Sequence, residues 1–262
     1  MEKENIKWVQ PNFEISSVTT GDMPGDKVKI DESHIKRANV IFSHLLEKVK
    51  SSNNKKTVIS VFGGSGVGKS EIGSLIAHYF KLEGFGTYVL SGDNYPHRIP
   101  MINDKERLEI YNKNGREGLE KYLGTSNEIE FELINSIISD FKNGEKEIDL
   151  KRMGRTLDSI YFENVNFEKT DILVIEWTHG NNRLLNGVDF PIFLYSTPEE
   201  TLQHRKSRAR DNEVDSPFTK IVLEIEQNLL NSQYKNTELI ISKNGEIITK
   251  VAFSKIIGVS NE

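Results

Sequence analysis

The chain has 262 residues, of which 36% are hydrophobic and 28% charged, with a formal net charge of −5 and no cysteine. That length supports one sizeable core, and the missing cysteines exclude a disulfide framework, a thiolate nucleophile and a cysteine-built metal centre. The acidic balance argues against a nucleic-acid partner. No apolar run approaches the roughly 18 residues of a membrane span, and "MEKENIKWVQ" has no secretory h-region, so no membrane partner and a cytoplasmic location are expected. Oligomeric state is not legible, and a homo-oligomer is left open.

The first 30 residues are polar and irregular, with "GDMPGD" marking a turn. From Asp31, the spacing of Ile35, Val40, Ile41, Leu45 and Val49 predicts a helix that "SSNNKK" ends. Residues 1–55 therefore read as an N-terminal appendage with one helix, preceding a domain over 56–262. That domain opens on "TVISVF", a β-branched run that predicts a buried strand. A glycine-rich turn follows, and then a helix with Ile72, Leu75, Ile76, Tyr79 and Phe80 on one face and Gly84 as its cap.

Strand, glycine loop and helix in that order give the pattern G-x-x-x-x-G-K-S, from Gly63 to Ser70, its phosphate-binding meaning. Glycines let successive backbone N–H groups turn inward around phosphate oxygens, and the following helix N-terminus favours negative charge. Gly63, Gly64, Ser65, Gly66, Val67, Gly68, Lys69, Ser70 and Glu71 are the expected nucleotide contacts, with Lys69 reaching the β and γ phosphates and Ser70 ligating Mg²⁺.

The next strand, "GTYVLSGDNYPHR", should end near Ser91-Gly92, at the carboxyl edge where open α/β sheets bind ligands. Asp93 is placed there either to accept a hydroxyl proton or to cap the following turn, and Tyr95, His97 and Arg98 suit an acceptor site. Ile129, Leu133, Ile134, Ile137 and Phe141 form an apolar helical stripe closed by Asn143-Gly144. Lys151, Arg152 and Arg155 beyond it read as surface charge or as acceptor contacts. "TDILVIEWTHGNN" predicts a buried strand ending in Glu176, where a carboxylate can hold Mg²⁺ through its water shell, while His179 either caps a loop or touches the acceptor. Thr197, Pro198 and Glu200 mark a helix start before "HRKSRARDN". A further amphipathic helix starts near Phe218, and Asn244-Gly245 marks a hairpin.

These segments together resemble the uridine kinase and phosphoribulokinase group of P-loop kinases, from about residue 57 to about 242. "LSGDNYP" is similar to that group's strand-end "D-x-F-Y", which implies Asp93 as catalytic base. "NEIEFELINSIISDFKNGEKEIDLKRMGR" resembles its acceptor-binding segment without that segment's proline and Tyr-Asp pair, which implies Arg155, and less directly Arg152, at the acceptor. "VIEWTH" resembles "V-x-E-G-x-H", with Trp177 where the group has glycine. The arginine run resembles the lid "R..R..RD", which implies Arg205 and Arg208 on the transferred phosphoryl and Arg210 with Asp211 ordering the lid. The resemblance implies an ATP- and Mg²⁺-dependent kinase acting on a small-molecule hydroxyl. It also implies an α/β P-loop NTPase fold, with a parallel five-stranded sheet and helices on both faces. Arg98 and Arg155 favour an anionic acceptor. A local resemblance of "YVLSGDNYPHRI" to adenylylsulfate kinase is a second reading, and a catalytically silent nucleotide-binding regulator is a third.

Overall fold

In the computed structural model the described residues are 8–52, 55–208 and 215–259, with Arg208 described by its backbone alone; Arg210 and Asp211 lie outside them. The elements in chain order are α1 (Glu32–Ser51), β1 (Thr57–Gly63), α2 (Lys69–Leu82), β2 (Thr87–Ser91), α3 (Pro100–Tyr122), α4 (Phe131–Asn143), β3 (Glu147–Met153), β4 (Ile160–Asn166), β5 (Ile172–Trp177), β6 (Phe190–Leu194), α5 (Pro198–Arg208), α6 (Pro217–Ser232), β7 (Leu239–Ile241) and α7 (Lys250–Ile256). The main sheet has five strands in the order β2-β5-β1-β6-β7, every pair parallel, and β3 with β4 forms a separate antiparallel hairpin. The expected parallel five-stranded sheet with helices on both faces is the fold observed.

The register is what positions the site. Glu176 at the end of β5 lies opposite Val61 on β1 and Ser91 on β2, so the carboxyl ends of three strands meet where the phosphate loop begins. Strands buried on both sides read as near-continuous apolar runs, and β1 and β5 are buried along their whole length. One face packs α1 and α2 through Ile41, Phe42, Leu45, Ile72, Leu75 and Ile76, and the other packs α4 through Ile134, Ile137, Ile138 and Phe141. The hairpin expected at Asn244-Gly245 is short: Ile247 returns against Ile241 through a single bridge, while β7 itself joins the parallel sheet.

The N-terminal region is tied into this core. Asp31 caps α1, accepting from the backbone of Ser33 and His34, and the His34 ring returns the bond to the Asp31 N–H. The Trp8 ring packs edge-on against Phe42 at 4.5 Å and tilted against Tyr79 at 5.0 Å, and its indole N–H donates to Glu83 at 3.0 Å. Phe42 is fully buried. Phe42→Ala should therefore cost about 3–5 kcal/mol, the range for a buried aromatic truncated in a packed core, in equilibrium urea unfolding of the whole chain. A loss within about 0.5 kcal/mol, as for a surface change, would mean α1 is dispensable to the fold.

Candidate active site

The phosphate loop closes between β1 and α2. Gly63 and Gly68 have φ of 157° and 92°; a Cβ would lie 2.5 Å from the Leu194 carbonyl oxygen at the first and 2.8 Å from the His34 ring at the second. Both positions need glycine for conformation and for space. From outside the loop, Arg37 of α1 donates to the Val67 carbonyl at 2.8 Å. That bond holds the loop at one carbonyl, while the Val67 N–H donates within the loop to Gly64 O at 3.4 Å. Lys69 donates to Gly64 O at 3.0 Å, so its ammonium lies folded over the loop.

Ser70 is the second residue of α2, after Lys69, and its Oγ donates to Glu176 Oε2 at 3.0 Å. Glu176 is only 2% exposed. Burial, and then the nearby Asp93 carboxylate, push its pKa up to about 8. Asp93 itself is exposed in a short turn after β2. That turn is held by a residue of the N-terminal segment that sequence reasoning missed. Asp22 accepts from Ser91 N at 2.7 Å, Asn94 Nδ2 at 3.2 Å, Tyr88 Oη at 3.0 Å and Arg152 at 2.8 Å.

Beyond Asp93 lies a pocket of about 90 Å³ lined by Arg107, Glu128, Trp177, His179 and Glu226, among others. Arg107 donates to Glu128 at 2.6 Å and to Glu226 at 3.4 Å, and Glu128 also accepts from Asn103 at 3.0 Å and Gly124 N at 2.7 Å. Burial opposes the Glu128 charge, but Arg107 outweighs it and holds the carboxyl below its ordinary range. Burial takes His179 down to about 4, so its imidazole is neutral at physiological pH.

The structure brings Asp93, Glu176, His179, Lys69 and Ser70 together, but other candidates lie elsewhere. Tyr95 is fully buried in the apolar cluster with Phe131 and Trp177, because its ring continues the α4 core. His97 turns to Ser126 O at 2.9 Å, and Arg98 donates to Tyr122 Oη at 3.1 Å and Asn127 O at 3.3 Å. Arg155 is exposed near the turn of the β3–β4 hairpin, and Arg152 is buried against Asp22 and Glu163. None of these five lines the pocket beside Asp93. Arg205 lies over Gly66, a Cβ there falling 2.8 Å from its Cγ, while its guanidinium donates to Pro198 O at 2.8 Å on its own helix. The α3 helix, which carries Asn103 and Arg107, left little periodic signal because only Asn103, Leu119 and Tyr122 on it are buried.

Sheet order, phosphate loop and the Glu176 strand end are those of a P-loop kinase fold. The description "Phosphoribulokinase / Uridine kinase family" matches residues 58–247, and the chain belongs to that family. Over 215 residues it is 41% identical to a bifunctional alpha-galactosidase/sucrose kinase of Mediterraneibacter gnavus, a match covering 82% of this chain and spanning 23% of that relative's length. A solved D-glycerate 3-kinase from Cryptococcus neoformans superposes with a TM-score of 0.53 at 13% identity, covering 84% of this chain and 99% of that one. Phosphoribulokinase from Rhodobacter spheroides gives 0.54 at 17%, covering 72% and 71%. The two structures support the fold alone.

No group of three or more His, Cys, Asp or Glu side chains suited to a metal occurs among the described residues. Ser70 and Glu176 nevertheless fit Mg²⁺, which usually takes one or two protein oxygens and completes its shell with water and substrate phosphate. A carboxyl pushed up to about 8 is one that a cation would restore to its charged form. The same shift predicts the stability of the ligand-free protein. Folded Glu176 keeps its proton up to about 8, whereas unfolded it ionises near 4.5, so stability is fully present below about 4.5 and is lost as pH rises towards 8. Across that window the melting temperature of the parent should fall relative to Glu176→Gln, measured without metal. Parallel curves would show that the Glu176 carboxyl is not held protonated.

Proposed function

We propose that the chain is an ATP- and Mg²⁺-dependent kinase that transfers the γ-phosphoryl group to a hydroxyl of a small metabolite. The observation that carries this reading is the juxtaposition of Ser70 and Glu176, 3.0 Å apart at the phosphate loop, with Asp93 on the neighbouring strand end facing a separate pocket. The acceptor hydroxyl loses its proton to Asp93 as its oxygen bonds the γ-phosphorus, and the bond from that phosphorus to the β-bridging oxygen breaks to release ADP. Lys69 and the loop amides hold the phosphates, and Arg205, released from Pro198 O, turns its guanidinium to the transferred group. Ser70 and Glu176 would hold Mg²⁺, which would supply positive charge against the nucleotide's phosphates.

The pocket also bears on the acceptor. Asp93, Glu128 and Glu226 face one guanidinium, that of Arg107, which two of these carboxylates already engage, and a neutral His179. A phosphate on the acceptor would find no unengaged guanidinium in that lining and would face the Asp93 carboxylate. This favours an uncharged acceptor, contrary to the preference that Arg98 and Arg155 suggest from sequence. A sugar is the acceptor class proposed, supported by the 41% identity to a relative named for sucrose kinase activity.

Two variants test the reading in a coupled ADP-release assay with a panel of neutral sugars, sugar phosphates and nucleosides. Lys69→Ala should abolish most turnover while leaving the melting temperature near that of the parent, because its ammonium is only partly buried and bonds one loop carbonyl. Asp93→Asn should keep nucleotide affinity and lose about 10²–10⁴ in kcat, the usual value of general-base assistance. Turnover equal to the parent by Asp93→Asn would reduce Asp93 to a turn residue and remove the case for hydroxyl phosphorylation.

A further inference from the structure

A second cavity, larger than the one next to Asp93, lies on the other side of that turn's strand. Residues 19–22 of the N-terminal segment, one face of α2 and the strand β2 enclose about 320 Å³, at the lower end of the ~300–1,000 Å³ typical of small-molecule sites. It shares no lining residue with the pocket at Asp93. Two polar side chains line it with their hydrogen-bonding capacity unspent. Ser74 is 1% exposed and His78 is 9% exposed, and neither Ser74 Oγ nor His78 Nε2 has a hydrogen-bond partner. Buried polar groups are rarely left so, and each unmet one costs about 1–3 kcal/mol. Both belong to α2 one turn apart on the face that lines the cavity, so one ligand can meet both once their side chains turn towards it.

The lining also defines the ligand. Ser74 Oγ donates or accepts, and burial, followed by the neighbouring Lys81, keeps His78 below its ordinary pKa and therefore neutral, so Nε2 offers either role according to tautomer. Asp22, the carboxylate in the wall, is already matched by Arg152 at 2.8 Å, and the Lys81 side chain is exposed. Thr19, Thr20 and Thr87 add hydroxyls, and Ala77 and Val89 add an apolar surface. Neutral groups that can donate or accept, set against small aliphatic side chains, suit a molecule bearing several hydroxyls on a short carbon skeleton. We propose that this cavity binds an uncharged monosaccharide or polyol at a site distinct from the acceptor pocket. Its occupant would lie against Asp22, which holds Ser91 N and Asn94 on either side of Asp93, so filling it braces the turn that presents the base.

The test uses the full chain carrying Lys69→Ala and no nucleotide, so its outcome does not depend on whether the chain is a kinase. Glucose, fructose and glycerol are titrated by calorimetry, with inorganic phosphate as the charged control. At least one neutral probe should bind. Its affinity should fall at least tenfold when Ala77→Leu fills the cavity, and likewise in the milder Ser74→Ala/His78→Asn pair, with melting temperatures confirming that both variants fold. No heat from any neutral probe, or binding by phosphate alone, overturns the proposal. Binding that both variants leave unchanged also overturns it, because the sugar would then belong to the pocket at Asp93.

Discussion

A carboxylate with almost no solvent, Glu176, is the constraint on which the rest of the site depends. The order β2-β5-β1 puts its strand between the phosphate loop's strand and the strand that ends before Asp93. Desolvation therefore acts on Glu176 from every side, and Asp93 adds repulsion. An isolated buried charge is too costly to keep, so such a group either holds a proton or waits for a cation. Ser70 Oγ bonds it in the meantime. Held protonated and bonded by Ser70 Oγ, the carboxyl avoids the cost of an unpaired buried charge.

Two parts of the N-terminal chain hold the elements around that carboxylate. On the loop side, Arg37 binds Val67 O and the His34 ring lies where a Cβ at Gly68 would clash. On the Asp93 side, Asp22 joins β2, the turn of Asp93 and the β3 arginine through one carboxylate. Gly21, next to Asp22 in the chain, sits close to Glu176, a Cβ there falling 3.7 Å from Oε1. Arg37 and Asp22 precede residue 58, where the family match begins, so the family's own pattern carries no trace of either. Their contacts bridge dozens of residues in sequence, and such contacts leave no periodicity that a reading along the chain could detect.

The legible features were those whose cause is local. The phosphate loop shows itself through glycine spacing after an apolar run, and β5 through its buried stretch ending in a carboxylate. The α4 stripe with Gly144 at φ 83° is a local pattern of the same kind. What failed depended on tertiary partners. An aromatic two residues after Asp93 looks like a ligand contact until α4 and β5 are seen to pack Phe131 and Trp177 around Tyr95. The arginines of "KRMGR" look alike in sequence, yet alternation along β3 and the hairpin turn send Arg152 to Asp22 and leave Arg155 in solvent. The α3 helix was obscured because Gly115, at φ 64°, interrupts it and most of its surface is wet.

Trp177 shows how a departure from the family pattern is absorbed. Its indole stands where the resembling kinases have glycine, at the strand end that walls the pocket beside Asp93. A Cβ on Gly92 would come within 1.9 Å of Cγ of that ring, so the tryptophan is possible only because residue 92 has no side chain. The ring then packs against Phe131 at 5.6 Å and against His179 at 5.3 Å. The second contact places an apolar face on an imidazole already kept neutral by burial. Trp177 thus reaches the lining of the pocket beside Asp93 while almost wholly buried, and Glu128, Glu226 and Arg107 form a charge network in the same lining. The bulk at this position is therefore absorbed by Gly92 and by aromatic packing, and the charged lining of the pocket is left as it stands.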